Sequence, residues 1–178
     1  MTKSLILLMF ALGPLLALSQ KKIDFAPAAV NFTIRNAGFK VNGTFEGLQG
    51  SVTMDSKSAQ PTKIEGTIDA NTIHTGINIR DNHLKKADYF DAKEYPRISM
   101  TSTQIKKKSK NKYVGNFDLK IKEVTKNIEI PFTLSMSSNS FVLKGGFSIN
   151  RIDYKIGEES ITLSDNVEVK IEFKATEK

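Results

Sequence analysis

Cysteine and tryptophan are both absent from the 178-residue chain, and histidine occurs only twice. Without cysteine there is no disulfide framework, no thiol nucleophile and no thiolate metal site. His74 and His83 alone do not make a recognisable zinc set, so no metal and no cofactor are expected, and each histidine reads as a hydrogen-bonded structural or surface residue. No serine or carboxylate sits in a motif with a base and an orienting group beside it, and the pair Glu158-Glu159 falls in a loop-like stretch. An enzyme is therefore not expected. With no tryptophan for an interfacial girdle, and with heavily charged polar strand faces, a stably inserted membrane barrel is not expected either.

Acidic residues are in deficit. Asp and Glu number 19 against 26 Lys and Arg, for a net charge of +7 and a pI near 9.5. Much of the excess lies in Lys106-Lys107-Lys108-Ser109-Lys110-Asn111-Lys112. A nucleic-acid surface would interleave aromatics with those lysines, and none occurs before Tyr113. The run reads as a charged hairpin loop, and nucleic acid is not an expected partner.

Long apolar runs are confined to the start of the chain. Lys3 precedes the apolar stretch Ile6 to Leu18, and Ala17-Leu18-Ser19 places small residues before Gln20. The stretch is shorter than the roughly 20 residues a spanning helix needs, and the pattern is that of a cleaved export signal. The expectation is a leader over residues 1–19 and one domain over residues 20–178. Export without disulfides suits a periplasmic or secreted protein.

What the chain has is alternation. Val30, Phe32 and Ile34 alternate with Asn31, Thr33 and Arg35; Phe39, Val41, Gly43 and Phe45 follow in the same way. The phase then slips to the even positions Leu48, Gly50, Val52 and Met54, which signals a β-bulge near Glu46-Gly47. Ile64 to Ala70, Ile98 with Met100, Tyr113 to Ile121, Ile128 to Leu134, Phe141 to Ile149 and Val167 to Phe173 repeat the period of two. Such runs are half-buried strands, with turns expected at Asp55 to Ser58 and Ser137 to Ser140. The one interruption, around residues 77–95, reads as a short helical or irregular crossover, with Leu84, Ala87 and Phe90 spaced to share one helical face.

About eight antiparallel strands with one apolar face each close as a barrel or stack as a sandwich. Their length and the bulge favour a single extended eight-stranded antiparallel β-barrel, lipocalin-like in size, within an all-β class. Gly43, Gly66, Gly115 and Gly145 stand among large inward residues. That mixture fits a packed core or an open channel equally well.

The segment Thr75 to Pro96, TGINIRDNHLKKADYFDAKEYP, resembles the diagnostic stretch of the YceI family of periplasmic polyisoprenoid-binding proteins, through Arg80-Asp81, His83-Leu84, Asp88-Tyr89-Phe90-Asp91 and Tyr95-Pro96. Gly43 to Gly50, Val124-Thr125-Lys126 and Ile149-Asn150-Arg151 with Asp153-Tyr154 also resemble family segments, so the likeness covers roughly residues 23 to 175. Asn36 stands where many members carry histidine, and Glu123 where glycine is common.

The resemblance implies a non-enzymatic carrier that holds a long-chain isoprenoid lipid, of quinone or polyprenyl phosphate type, in the barrel lumen for periplasmic storage or transport. The lumen set is then Phe32, Ile34, Phe39, Val41, Phe45, Leu48, Ile68, Ile98, Met100, Phe117, Leu119, Ile130, Phe132, Leu143, Phe147, Ile149, Val169, Ile171 and Phe173. Arg80 and His83 are candidate headgroup contacts, since a guanidinium meets a phosphate or quinone oxygen with a fork of donors. A competing reading pairs Arg80 with Asp81, Asp88 or Asp91 to lock the crossover, and Arg151 with Asp153 reads as a structural pair. The alternative function is a barrel filled by its own side chains, acting in structure, interaction or stress protection without a ligand. Either would be a monomer or an edge-paired dimer.

Overall fold

Strict alternation fixes which side of each strand must leave water, and in the computed structural model those sides converge on one lumen. The structure describes residues 20–24, 28–137 and 140–176; the expected leader and the Ser138-Asn139 turn lie outside them. The strands are β1 (Gln20–Asp24), β2 (Ala28–Asn36), β3 (Phe39–Asp55), β4 (Gln60–Asp69), β5 (Arg97–Lys107), β6 (Lys112–Ile121), β7 (Val124–Ser137), β8 (Ser140–Asn150) and β9 (Asn166–Thr176). Their order in the sheet is β1-β3-β2-β9-β8-β7-β6-β5-β4, and β4 also pairs with β3. Strands β2 to β9 therefore close as the expected eight-stranded antiparallel barrel.

β1 is an added ninth strand. It continues the line of β2 along β3, with Ile23 opposite Val52 and Val30 opposite Phe45. Only Ile23 is buried in β1, too little apolar signal for a period of two to register. Neighbours around the ring are consecutive in sequence except at the seam of β2 and β9. There Val30, Asn31, Phe32 and Thr33 face Ile171, Lys170, Val169 and Glu168.

The expected bulge is present. Val30 opposes Phe45 but Ala28 opposes Leu48, so β3 carries one extra residue there. Gly47 takes φ +73°, a left-handed backbone that glycine adopts without a Cβ penalty. Phe45 and Leu48 both stay buried as a result. At the β2–β3 hairpin, Ala37 (φ 47°) and Gly38 (φ 83°) give the two positive dihedrals that match strand twist. The Asp55 carboxylate accepts from the Lys57 and Ser58 amides at 2.7 and 3.1 Å. That side-chain turn closes the hairpin and holds the carboxyl below its ordinary pKa. Of the lysine run, Lys108 to Asn111 form the β5–β6 hairpin loop, while Lys106, Lys107 and Lys112 lie on the flanking strands.

The crossover holds the expected short helix but not the expected shared face. Helix α1 (Asn78–Leu84) is only 7 residues long, and Ala87 is exposed beyond its end. Leu84 and Phe90 still meet, but through a turn in which the Phe90 amide donates to the Leu84 carbonyl at 3.0 Å. No single helical face joins the three residues.

Candidate functional site

Antiparallel alternation puts the β2–β3, β4–β5, β6–β7 and β8–β9 connections at one end of the barrel and the remaining turns at the other. The lumen differs between the two ends. Near the β3–β4 and β5–β6 turns it is filled: Tyr113 stacks on Phe132 at 5.3 Å, Phe117 meets Phe132 edge-on at 6.3 Å, and Phe141 meets Phe173 at 6.2 Å. Near the crossover it is open, enclosing about 350 Å³. A pocket of about 40 Å³ lies between the aromatic floor and this chamber, sharing Leu48, Gly66, Met100 and Ile171 with it.

Most of the expected lumen set lines the chamber. Phe32, Ile34, Val41, Phe45 and Leu48 come from β2 and β3, and Ile68, Ile98, Met100 and Leu119 from β4, β5 and β6. Phe147, Ile149, Val169 and Ile171 complete it from β8 and β9. Phe117, Ile130, Phe132, Leu143 and Phe173 surround the small pocket instead. Phe39 is a correction. It shares the parity of Val41, but the hairpin overshoots the barrel rim and leaves it 76% exposed. The lumen is thus neither wholly open nor wholly filled.

Two interior glycines act as seats for rings. A Cβ at Gly43 would lie 2.2 Å from the Phe32 ring, and one at Gly115 would lie 2.5 Å from the Phe117 ring. Each ring lies against its own wall because glycine leaves the space.

The roof was not legible from strand periodicity. Leu84, Tyr89 and Phe90 of the crossover and Ile156 and Leu163 of the β8–β9 connection line the chamber. Phe90 packs edge-on to Phe45 at 5.3 Å, and Phe45 packs on Phe32 at 5.6 Å. Thr44 and His74 exchange backbone hydrogen bonds of 2.8 and 2.9 Å, tying the crossover to β3. The Gly157 amide donates to the Asp88 carbonyl at 2.7 Å, tying it to the β8–β9 connection. Lys122 Nζ donates to the Ala87 and Lys155 carbonyls at 3.2 and 3.1 Å. Gly157 has φ +68°, and a Cβ there would lie 2.8 Å from the Tyr89 ring, so only glycine fits this contact. The sequence signals for this roof were the family-like segments around Leu84, Asp88-Tyr89-Phe90-Asp91 and Arg151, not a strand period.

Polar groups collect at the mouth, where Asn36, Thr75, Arg80 and His83 join the chamber lining. Arg80 donates from Nε to Thr75 Oγ1 and from Nη2 to the Thr75 carbonyl, both at 2.7 Å. That uses two of the five guanidinium donors. None of the acidic partners considered for Arg80 is used. Asp81 is buried and accepts from the Thr75 amide at 2.8 Å, from the Thr75 hydroxyl, and from His74 Nδ1 at 3.1 Å. Burial pushes the Asp81 carboxyl up, but the Thr75 and His74 contacts outweigh it and hold the group below its ordinary pKa. Asp88 and Asp91 fix the loop through backbone: Asp91 is left-handed at φ 45° and its carbonyl receives the Glu94 and Tyr95 amides. His83 meets the Tyr89 ring edge-on at 5.0 Å.

The buried arginine also has a different partner from the one expected. Arg151 is 2% exposed and pairs with Asp165 at 2.9 Å, while Asp153 pairs with Lys126. Its other donors reach the Ser164, Ile156 and Leu163 carbonyls at 3.0, 3.0 and 3.3 Å. One side chain therefore organises the whole β8–β9 connection. Beside it in sequence, the Tyr154 hydroxyl is buried with no hydrogen-bond partner, and desolvation, helped by Asp153, raises its pKa to about 12.

Because the folded pKa lies above the ordinary value near 10, the unfolded chain ionises first. Stability is then lost as pH rises from about 10 to 12, at about 1.4 kcal/mol per pH unit. Tyr154→Phe should flatten that alkaline loss in urea titrations and leave stability at neutral pH equal or higher. A variant with the same alkaline slope as the parent would refute this assignment.

Among the described residues no three His, Asp or Glu gather to hold a metal, and no helix is long and apolar enough to cross a membrane. A closed eight-stranded antiparallel barrel with an apolar chamber under a polar mouth belongs with the small barrels that enclose a single ligand-sized space. Within that class, the chain belongs to the YceI-like domain family, whose model matches residues 22–175. It is 34% identical to protein YceI of Escherichia coli O6:H1 over 126 residues, 69% of this chain and 65% of that protein. The matches to the first curated relatives span 53% to 65% of those proteins' length.

The fold is that of BcnA from Burkholderia cenocepacia, with a TM-score of 0.77 at 23% identity, covering 83% of this chain and 96% of BcnA. A polyisoprenoid binding domain from Saccharophagus degradans, implicated in plant cell wall breakdown, shares it with a TM-score of 0.68 at 15% identity, covering 90% of this chain and 99% of that domain.

Proposed function

We propose that this protein binds one isoprenoid-type lipid, of quinone or polyprenyl phosphate class, with its apolar chain in the chamber and its head at the mouth, as an exported carrier rather than an enzyme. The observation that carries the reading is the chamber itself: about 350 Å³ of apolar-walled space inside an otherwise well-packed barrel. Ligand pockets run from about 300 to 1,000 Å³, so this one sits at the small end and takes part of a long chain rather than its full length. Each methylene moved from water into it is worth about 0.8 kcal/mol. Arg80, with donors beyond those given to Thr75, and His83 stand where a quinone oxygen or a phosphate would emerge. The likeness to a domain described as polyisoprenoid-binding is consistent with this reading. The sequence pattern of residues 1–19, read as an export signal, is the ground for placing the carrier in the periplasm or beyond.

The test is native mass spectrometry of the protein purified from the periplasm, then of delipidated protein with added ubiquinone or undecaprenyl phosphate. A single adduct that extracts as an isoprenoid is the expected result. No adduct from either source would move the case to a ligand-free interaction barrel.

A further inference from the structure

Large apolar side chains in water are concentrated at one end of this molecule. Among the described residues the strongly exposed ones are Phe39, Ile77, Ile79, Met136 and Ile161, with Ile79 at 84% and Ile161 fully exposed. Met136 belongs to the end with the aromatic floor. The other four stand at the end where the chamber has its polar mouth: Phe39 on the β2–β3 hairpin, Ile77 and Ile79 at the start of α1, and Ile161 in the β8–β9 connection. The Ala37 amide donates to the Thr162 carbonyl at 2.8 Å, holding the last of these segments against the hairpin. An exposed apolar cluster of this kind marks a contact surface.

The charge beside it is mostly positive. Ile77 and Ile79 share a shallow surface groove with Arg80, Asn82, His83 and Lys86, and no carboxylate lines it. On the hairpin, Arg35 and Lys40 face each other across the ladder, both exposed, next to Phe39. Glu158 and Glu159 precede Ile161 in the β8–β9 connection, so the basic side of the rim is that of the hairpin and the helix. Apolar residues set among Lys and Arg are the composition of a surface that lies in the interface of an anionic bilayer.

We propose that the chamber end seats on an anionic lipid bilayer, with Phe39, Ile77 and Ile79 entering the interface and Arg35, Lys40 and Lys86 meeting lipid phosphates. The mouth then faces the membrane, and an apolar chain passes between bilayer and chamber without crossing water. The purpose of the contact rests on the lipid reading above, but the contact itself is measured separately.

The experiment is co-sedimentation of the mature chain with vesicles of phosphatidylcholine, with and without phosphatidylglycerol, at low and high salt. Alongside it, lumen uptake of a short-chain quinone is followed in vesicle-free buffer. The expected result is binding to the phosphatidylglycerol vesicles that weakens with salt. Phe39→Asp with Ile79→Asp should reduce that binding roughly tenfold or more, as loss of two buried apolar side chains would, while quinone uptake stays at the parent level. Lys107→Glu with Lys108→Glu, at the opposite end, should leave vesicle binding close to the parent value.

The proposal is overturned if the parent binds neither vesicle or if the apolar double variant binds as the parent does. It is also overturned if the opposite-end lysines carry the binding, or if Phe39 and Ile79 instead drive self-association without vesicles. Vesicle binding that persists while the quinone is not taken up would uphold the docking surface and reject the lumen reading alone.

Discussion

Gly66→Phe should sharply weaken retention of an apolar chain while the barrel stays folded. Gly66 lines both the chamber and the small pocket beneath it, and it lies on β4 between the buried Ile64 and Ile68, opposite Gly50 and Met100. A phenyl ring growing from that position occupies the depth of the chamber. A chain denied three methylenes of contact loses about 2.4 kcal/mol, a weakening of roughly fifty-fold. An aromatic residue also suits a strand better than glycine, so the melting temperature should hold or rise. Fluorescence displacement from the delipidated variant checks the first point and thermal melting the second. Uptake equal to that of the parent in a well-folded Gly66→Phe protein would remove the chamber from the account.

The second large effect is on stability. Arg151→Met keeps much of the buried volume but removes all the guanidinium hydrogen bonds to the β8–β9 connection. The carbonyls of Ile156, Leu163 and Ser164 lose their partner together, as does the Asp165 carboxylate. Leaving three carbonyls without a donor costs at least about 1 kcal/mol each, about 3–5 kcal/mol together, which for a domain of this size lowers the melting temperature by roughly 10 °C. Asp165→Asn is expected to be much milder, because Asp165 is 42% exposed and water replaces most of what it loses. Equal losses in the two variants would show that the ion pair, and not the set of carbonyl bonds, holds the connection.

Strand positions and the barrel were legible because the period of two is a backbone property that neighbours rarely override. The slip between Phe45 and Leu48 located a bulge to within two residues. Depth along the lumen was not legible, since parity reports which way a side chain points and not what stands opposite. Phe39 and Val41 have the same parity, yet one lies beyond the rim and the other on the chamber wall. Gly115 and Gly145 read as equivalents of Gly66, but the Phe117 ring already fills the space at Gly115, and Gly145 belongs to the small pocket. The polar partners were the least legible part. Arg80 and Arg151 took Thr75 and Asp165 over the carboxylates nearest in sequence, and Asp81 took Thr75 and His74 over Arg80. That choice depends on how irregular connections fold back, which no periodicity encodes.

The seam between β2 and β9 gives the barrel a mechanical asymmetry. Every other joint in the ring links strands consecutive along the chain, whereas this one joins segments from opposite ends of it, through a short stretch of ladder. Val30 and Phe32 on one side of the seam and Val169 and Ile171 on the other all line the chamber. A molecule held there touches both sides at once and behaves as a rivet across the joint. Occupancy would then shift the balance against opening by mass action, and the empty barrel would be the form more readily pried apart along that line.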